Sequence, residues 1–314
     1  MRVGFVGLGN LGRQLAGCLI EGGFPLTVHD RDAAAAAPLL AAGATWAGSP
    51  DALARASDAV ITCLPSPRVV TEVVSGSGTG LLAGLRPGTT WIDMSTNDSH
   101  ELRRLAGLAA AAGVHCLEAP VTGGVHLAAV GRLTVLVGGE EPVFEAHRQL
   151  LESIGRRIFY LGPLGSASAM KVITNMLAFI HLVAAGEALM LARRAGLELG
   201  TAFDAIRASS GNSFVHETES QVILNGSYDI GFTLDLACKD LGLAQELADE
   251  TGVPLELAGL VQRIFARARD EYGGSAWSPM VVRLLEDAVG TDLRADGFPA
   301  RIQASNERGE GADE

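Results

Sequence analysis

Apolar and polar residues follow two different rhythms along this chain of 314 residues. Up to about residue 160, short apolar runs of strand length recur: "RVGFVGL", "PLTVHD", "DAVITCLP", "TTWIDMST", "VHCLEAP" and "LTVLVGG". They carry few charges and end in Gly, Pro or polar residues, the pattern of strands covered on both faces. Between them lie "LGRQLAGCLIEGG", "AAAAAPLLAAG", "ELRRLAGLAAAAG" and "VFEAHRQLLESIG", with helical spacing, glycine stops and an interruption near Pro38. Strands alternating with helices predict a parallel sheet.

After about Gly162 the rhythm changes. A helical pattern from Gly165 to Arg194 runs for roughly eight turns. "GTAFDAIRASSG", "DLACKDLGLAQELADETG", "LELAGLVQRIFARARDE" and "SPMVVRLLEDAVG" continue as helices, with no strand among them. The expected fold is α/β: an N-terminal Rossmann doubly wound parallel sheet over residues 1–163, then an all-α C-terminal domain over 164–300, joined by the long helix. The helical part is expected to serve substrate binding and oligomer contacts. Residues 301–314 are polar and are expected to be a disordered tail. No internal repeat is evident.

Composition narrows the function. With 48% hydrophobic and 19% charged residues the chain has material for a large core, and only 5% aromatics among many Gly and Ala favours close helix packing and tight turns. The net charge of −12, without a basic stripe, argues against nucleic acid as a partner. A small carboxylate remains possible, because local cations outweigh a diffuse field. Cys18, Cys63, Cys116 and Cys238 form no CxxC pair and point to reduced thiols in a cytoplasmic protein. The histidines show no ligand spacing, so no metal is expected. The first residues enter a strand at once and leave no room for a signal peptide. The most apolar stretch, 176–192, is interrupted by His181, Gly186 and Glu187, and is expected to be a buried helix rather than a membrane span.

Two motifs carry candidate chemistry. "VGLGNLG" sets Gly7, Leu8, Gly9, Asn10, Leu11 and Gly12 between a strand and a helix, the context in which G-x-G-x-x-G binds a dinucleotide. Gly7 permits the tight turn, Gly9 admits a pyrophosphate to the backbone, and Gly12 lets helix pack on strand. Asp30 ends the second strand, where a carboxylate holds a ribose 2′-hydroxyl and repels a 2′-phosphate; NAD is therefore expected over NADP. Arg31, next to it, is the kind of group that holds the extra phosphate. In the long helix, Lys171 and Asn175 stand four apart on one face. A buried lysine is costly unless its pKa falls, and a lowered pKa suits it to proton transfer, with the asparagine orienting substrate. The alternative is a lysine that snorkels to water.

The fingerprint, "WIDMST", "EAPVTGG", "GPLGSASAMKVITNM" and "FTLDLACKDLGLA", in that order, resemble the β-hydroxyacid dehydrogenases, which include 3-hydroxyisobutyrate dehydrogenases and tartronate semialdehyde reductases. The resemblance covers nearly the whole chain. It implies hydride transfer between NAD or NADP and a β-hydroxyacid such as 3-hydroxyisobutyrate, glycerate or threonate, with Lys171 as general acid/base and Asn175 beside the substrate. It implies cofactor contacts at Leu64, Pro65, Thr96 and Lys239, with Ser95 close to the substrate. Thr122, Gly123 and Gly124, whose hydroxyl and exposed N–H groups make an anion nest, match the substrate-binding segment. His126 follows the glycine pair, where it could touch substrate. A homodimer or homotetramer is expected. Several positions depart from the family: Glu118 stands where Asp is usual and is expected only to pack, Ala167 replaces a common glycine, and Thr174 an asparagine. "NDSH", residues 97–100, replaces a proline-containing turn and is expected to cap the next helix. The alternatives are an imine or keto reductase on the same scaffold, which usually lacks this lysine, and a non-catalytic NAD-binding interaction module.

Overall fold

The computed structural model describes residues 1–304; of the expected tail, residues 305–314 lie outside the described residues. Among the described residues nine strands form one sheet: β1 (Val3–Val6), β2 (Leu26–His29), β3 (Thr45–Trp46), β4 (Ala59–Thr62), β5 (Thr90–Asp93), β6 (His115–Glu118), β7 (Val121–Thr122), β8 (Leu133–Gly139) and β9 (Gly155–Tyr160). Their order is β3-β2-β1-β4-β5-β6-β8-β7, with β9 also on β8. The pairs among β1 to β6 are parallel, β8 runs antiparallel to β6 and β7, and β9 is parallel to β8. The chain winds outward from β1 to β3 and then from β4 to β6 the other way. That reversal opens a crevice beyond the carboxyl ends of β1 and β4, where open α/β sheets bind ligands.

Both faces of the sheet are covered, which is why its strands read as unbroken apolar runs. Phe5, Val28, Ile61 and Ile92 face one core with Leu15, Leu19 and Phe144. Their neighbours Val6, Val60 and Trp91 face the other with Leu53, Leu102 and Leu105.

The helix Ser166–Arg194 has 29 residues and so extends about 43 Å. It begins against β8 and continues against the helices Phe214–Asn225, Leu234–Thr251 and Glu256–Tyr272. By length and composition alone it could cross a membrane. Here its Phe179, Leu182, Leu189 and Met190 enter a helical core with Ile223, Leu241 and Phe265.

Several elements escape the periodicity, among them the helices Pro50–Ala56 and Pro67–Ser75. β3 and β7 are two residues long, and β9 leaves Arg156, Arg157, Phe159 and Tyr160 exposed. The helix Phe214–Asn225 buries His216, Thr218 and Ser220, and these polar residues blur its apolar face. Local bonds satisfy them: His216 Nε2 lies 3.0 Å from the Phe203 carbonyl and its Nδ1 3.2 Å from Ser220 Oγ. Arg301, within the expected tail, is paired with Asp229 at 2.6 Å.

Candidate active site

The glycine loop has the shape of a ligand cradle. Gly7 has φ of 100°, a region that favours glycine, and a Cβ there would collide with the Cys63 carbonyl. A Cβ on Gly12 would collide with the Gly7 carbonyl, whereas one on Gly9 would meet no heavy atom within 4 Å. The outer two glycines close the turn against the protein and the middle one faces open space. The helix Gly12–Glu21 that follows has no side-chain cap; the Arg13 and Gln14 amides bond the Gly9 and Leu11 carbonyls, so what its N-terminus offers a phosphate is the positive end of the dipole and the amides ahead of Arg13. Asp30 is braced beside this loop: Oδ2 accepts from the Leu8 amide at 2.6 Å and Oδ1 from Asp32 at 2.9 Å. Arg31 is exposed. Asn10 donates to the Gly231 carbonyl of the helical domain at 3.3 Å.

At the carboxyl end of β5 a buried network forms around Asp93, which is 1% exposed. Its Oδ1 accepts from Thr62 Oγ1 at 2.8 Å and the Ser95 amide at 3.2 Å, and its Oδ2 accepts from Asn97 at 2.8 Å. Thr62 in turn accepts from the Trp91 indole at 2.9 Å. Burial raises the Asp93 pKa, and the donors from Ser95, Asn97 and Thr62 oppose the rise. Ser95 Oγ accepts from the Leu64 amide at 2.9 Å, joining the ends of β4 and β5. Pro65 is exposed and Thr96 half-buried beside this seam. Asp98 caps the helix Ser99–Ala111 through the Glu101 amide at 2.7 Å, as the sequence suggested.

Lys171 is buried, and it does not snorkel. Its Nζ donates to Asn175 Oδ1 at 2.8 Å, and Asn175 Nδ2 donates to Asp240 Oδ2 at 2.6 Å. Asp240, 1% exposed, stands 2.6 Å from Lys239 Nζ through its Oδ1, an ion pair without hydrogen-bond alignment. Lys239 also donates to the Thr96 carbonyl at 3.2 Å, tying the helical domain to the end of β5. Burial pushes the Lys171 pKa down to about 8; Asp240 resists the fall, Lys239 adds to it, and Cys63 resists it. The Cys63 thiol is itself pushed up to about 12, chiefly by burial.

Glu118 is more than a packing residue. Its buried carboxylate, at the end of β6, accepts from the amides of Gly165, Ala167 and Ser168 at 2.6, 2.9 and 3.0 Å and from the Ser168 hydroxyl. A strand of the sheet thus caps the helix carrying Lys171, with negative charge at the positive end of its dipole. Beyond β6, Thr122 ends β7, and Gly123 and Gly124, at φ of 126° and 83°, open the short helix Gly124–Ala128. A Cβ on Gly231 would lie 3.2 Å from Val125, so the helical domain closes on this segment and on Asn10 together.

The structure therefore joins Asp30 to Leu8, Ser95 to Leu64, Lys239 to Thr96, and Lys171 to Asn175. Asp93 and Asp240 are buried hubs that sequence reasoning passed over. Asp240 had a signal, its place beside Lys239 in "ACKDLGLA"; Asp93, in an apolar strand, had only its charge. Among the described residues no His, Cys, Asp and Glu side chains gather as a metal site.

Known proteins resemble this chain in sequence and fold. The family profile for the NAD-binding domain of 6-phosphogluconate dehydrogenase matches residues 2–162, and that for the NAD-binding region of NADP-dependent 3-hydroxyisobutyrate dehydrogenase matches 165–285. A 2-(hydroxymethyl)glutarate dehydrogenase of Eubacterium barkeri is 34% identical over 294 residues, 93% of this chain and 97% of that protein. The solved 3-hydroxyisobutyrate dehydrogenase of Salmonella typhimurium superposes with a TM-score of 0.84 at 30% identity, over 90% of this chain and 99% of that one. An imine reductase from Pseudomonas sp., at 19% identity, 90% and 99% coverage and a TM-score of 0.63, shares the fold alone. The chain belongs to the β-hydroxyacid dehydrogenase family and is an oxidoreductase that uses NAD or NADP to act on CH–OH groups.

Proposed function

We propose that the enzyme oxidises the β-hydroxyl of a small carboxylate with NAD, and that Lys171 moves the proton. The observation that carries this is a buried lysine, hydrogen-bonded at 2.8 Å to an asparagine on the same helix face, where burial pushes its pKa down to about 8. The substrates named for the two dehydrogenase relatives, 3-hydroxyisobutyrate and 2-(hydroxymethyl)glutarate, both carry a hydroxymethyl group on the carbon that bears a carboxylate. In this assignment the carboxylate docks on Thr122, Gly123 and Gly124. Lys171 and Asn175 hold the hydroxyl.

NAD, held by residues 7–12, Asp30, Leu64, Pro65, Thr96 and Lys239, supplies the acceptor for the hydride of the carbinol carbon. Neutral Lys171 takes the hydroxyl proton as the hydride departs, and in the reverse direction its ammonium returns that proton and stabilises the alkoxide. Asp30, held by two backbone amides, favours NAD. The exposed apolar side chains of the helical half, among them Leu191, Leu197, Leu257 and Leu260, suit a second copy of the chain, and the protein is proposed to act in the cytoplasm as a homo-oligomer.

The test is the pH dependence of kcat/KM with a β-hydroxyacid, for wild type and Lys171→Ala. Oxidation needs the neutral amine, so its kcat/KM rises as pH passes about 8; reduction needs the ammonium and falls over the same range. A rate without this inflection, or undiminished in Lys171→Ala, removes the lysine from the mechanism. With wild type, NAD is expected to exceed NADP in kcat/KM by about tenfold or more; a reversed ratio assigns Arg31 the deciding role.

A further inference from the structure

We propose that Tyr228, Glu286 and Arg294 are positioning residues for the cofactor site. They fix the loop 226–233, through which the helical domain grips the glycine loop, and so set how tightly the nicotinamide cofactor is held without touching it. This rests on the reading that residues 7–12 bind that cofactor. Tyr228 is the one non-glycine residue with positive φ among the described residues, at 54°, a backbone conformation that bulky side chains rarely adopt. It persists because the side chain is locked. The buried hydroxyl donates to Glu286 Oε2 and accepts from Arg294 Nη2 at 2.8 Å, and the guanidinium lies 5.3 Å from the ring centroid. Glu286, also buried, accepts through Oε1 from Arg294 Nη1 at 2.8 Å and from the Leu293 amide at 2.7 Å. Arg294 passes so close to Gly226 that a Cβ there would collide with it.

A buried polar network with its partners in place specifies one conformation. What it specifies here lies three residues on. Ahead of that point the chain's last described segment runs along the loop: Ala295 donates to the Leu224 carbonyl at 3.0 Å, Ser227 to the Ala300 carbonyl at 2.7 Å, and Arg301 pairs with Asp229 at 2.6 Å. Beyond it the Ser278 amide donates to the Phe232 carbonyl at 2.8 Å. Ile230 and Gly231 lie between these anchors, and the Gly231 carbonyl accepts from Asn10 at 3.3 Å. Asn10 is an exposed residue of the fingerprint, and among the described residues this is the one hydrogen bond its side chain makes. The helical domain thereby holds the glycine loop through a bond whose geometry the buried cluster sets.

The experiment titrates NADH or NADPH, whichever wild type binds more tightly, by nicotinamide fluorescence into wild type, Tyr228→Phe, Asn10→Ala and the double variant. No substrate is needed, so a failure of the hydroxyacid assignment leaves the outcome untouched. Tyr228→Phe keeps the ring and leaves Glu286 Oε2 without its donor. Each single variant is expected to weaken cofactor binding about fivefold or more, and the double variant no further than the worse of the two, because both break one path. Unchanged affinity in either single variant, or losses that multiply in the double, overturns the proposal and reduces the cluster to a support of the helical domain. If Tyr228→Phe does not fold, Ser227→Ala with Arg301→Ala, which frees the loop from its surface side, takes its place. Binding about threefold weaker is then expected, with no added loss in the Asn10→Ala background; unchanged affinity or multiplied losses overturn the proposal here too.

Discussion

Asp93 and Asp240 are both 1% exposed, yet their surroundings differ in kind. Asp93 is met by neutral donors from Thr62, Ser95 and Asn97, all from its own domain. Such a network is rigid and internally complete, and it ties together the ends of β4 and β5. Asp240 is met by a lysine and an asparagine, and one of its oxygens is poorly aligned with its cation. Its charge is therefore felt further off, at Lys171, whose fall in pKa it resists. A buried carboxylate surrounded by neutral donors builds a scaffold; one that shares a site with two lysines tunes a proton.

The comparison can be broken by substitution. Lys171→Ala should have the largest effect, lowering kcat by at least about 10²-fold with NAD affinity nearly intact; a loss in NAD binding instead would make the lysine a cofactor ligand. Asp93→Ala should cost about 2 kcal/mol of stability, measured by denaturant unfolding, while the pKa seen in the rate profile stays in place. If that pKa moves, the two clusters are not separate. Asp240→Asn should lower kcat about tenfold and leave burial and Lys239 unopposed by a carboxylate, so the inflection near pH 8 should move to lower pH. An unmoved inflection would show that Asp240 only positions Asn175. Asn97→Ala, the smallest change, should cost about 1 kcal/mol with kcat unchanged.

Much of the site was legible from local pattern. The glycine fingerprint needs only a strand before it and a helix after it, and Lys171 with Asn175 needs only helical spacing. Glu118 was misread as packing because its partners, Gly165, Ala167 and Ser168, lie some 50 residues further along the chain. Nothing near residue 118 announces a helix cap. Asp240 was visible as a neighbour of Lys239 but not as the acceptor for Asn175, 65 residues away. The helix Phe214–Asn225 was lost because its buried polar residues are satisfied by partners the periodicity cannot include.

By itself, then, the sequence determined six of the strands, the long helix and the glycine turn between the first strand and its helix, since these follow from backbone sterics and from apolar spacing within a few residues. Tertiary structure decided what surrounds each charge. Whether Lys171 snorkels or is buried, whether Glu118 packs or caps, and whether His126 faces water or the Phe214 ring all depend on which distant surfaces are brought together, because solvation and electrostatic fields are set by neighbours in space.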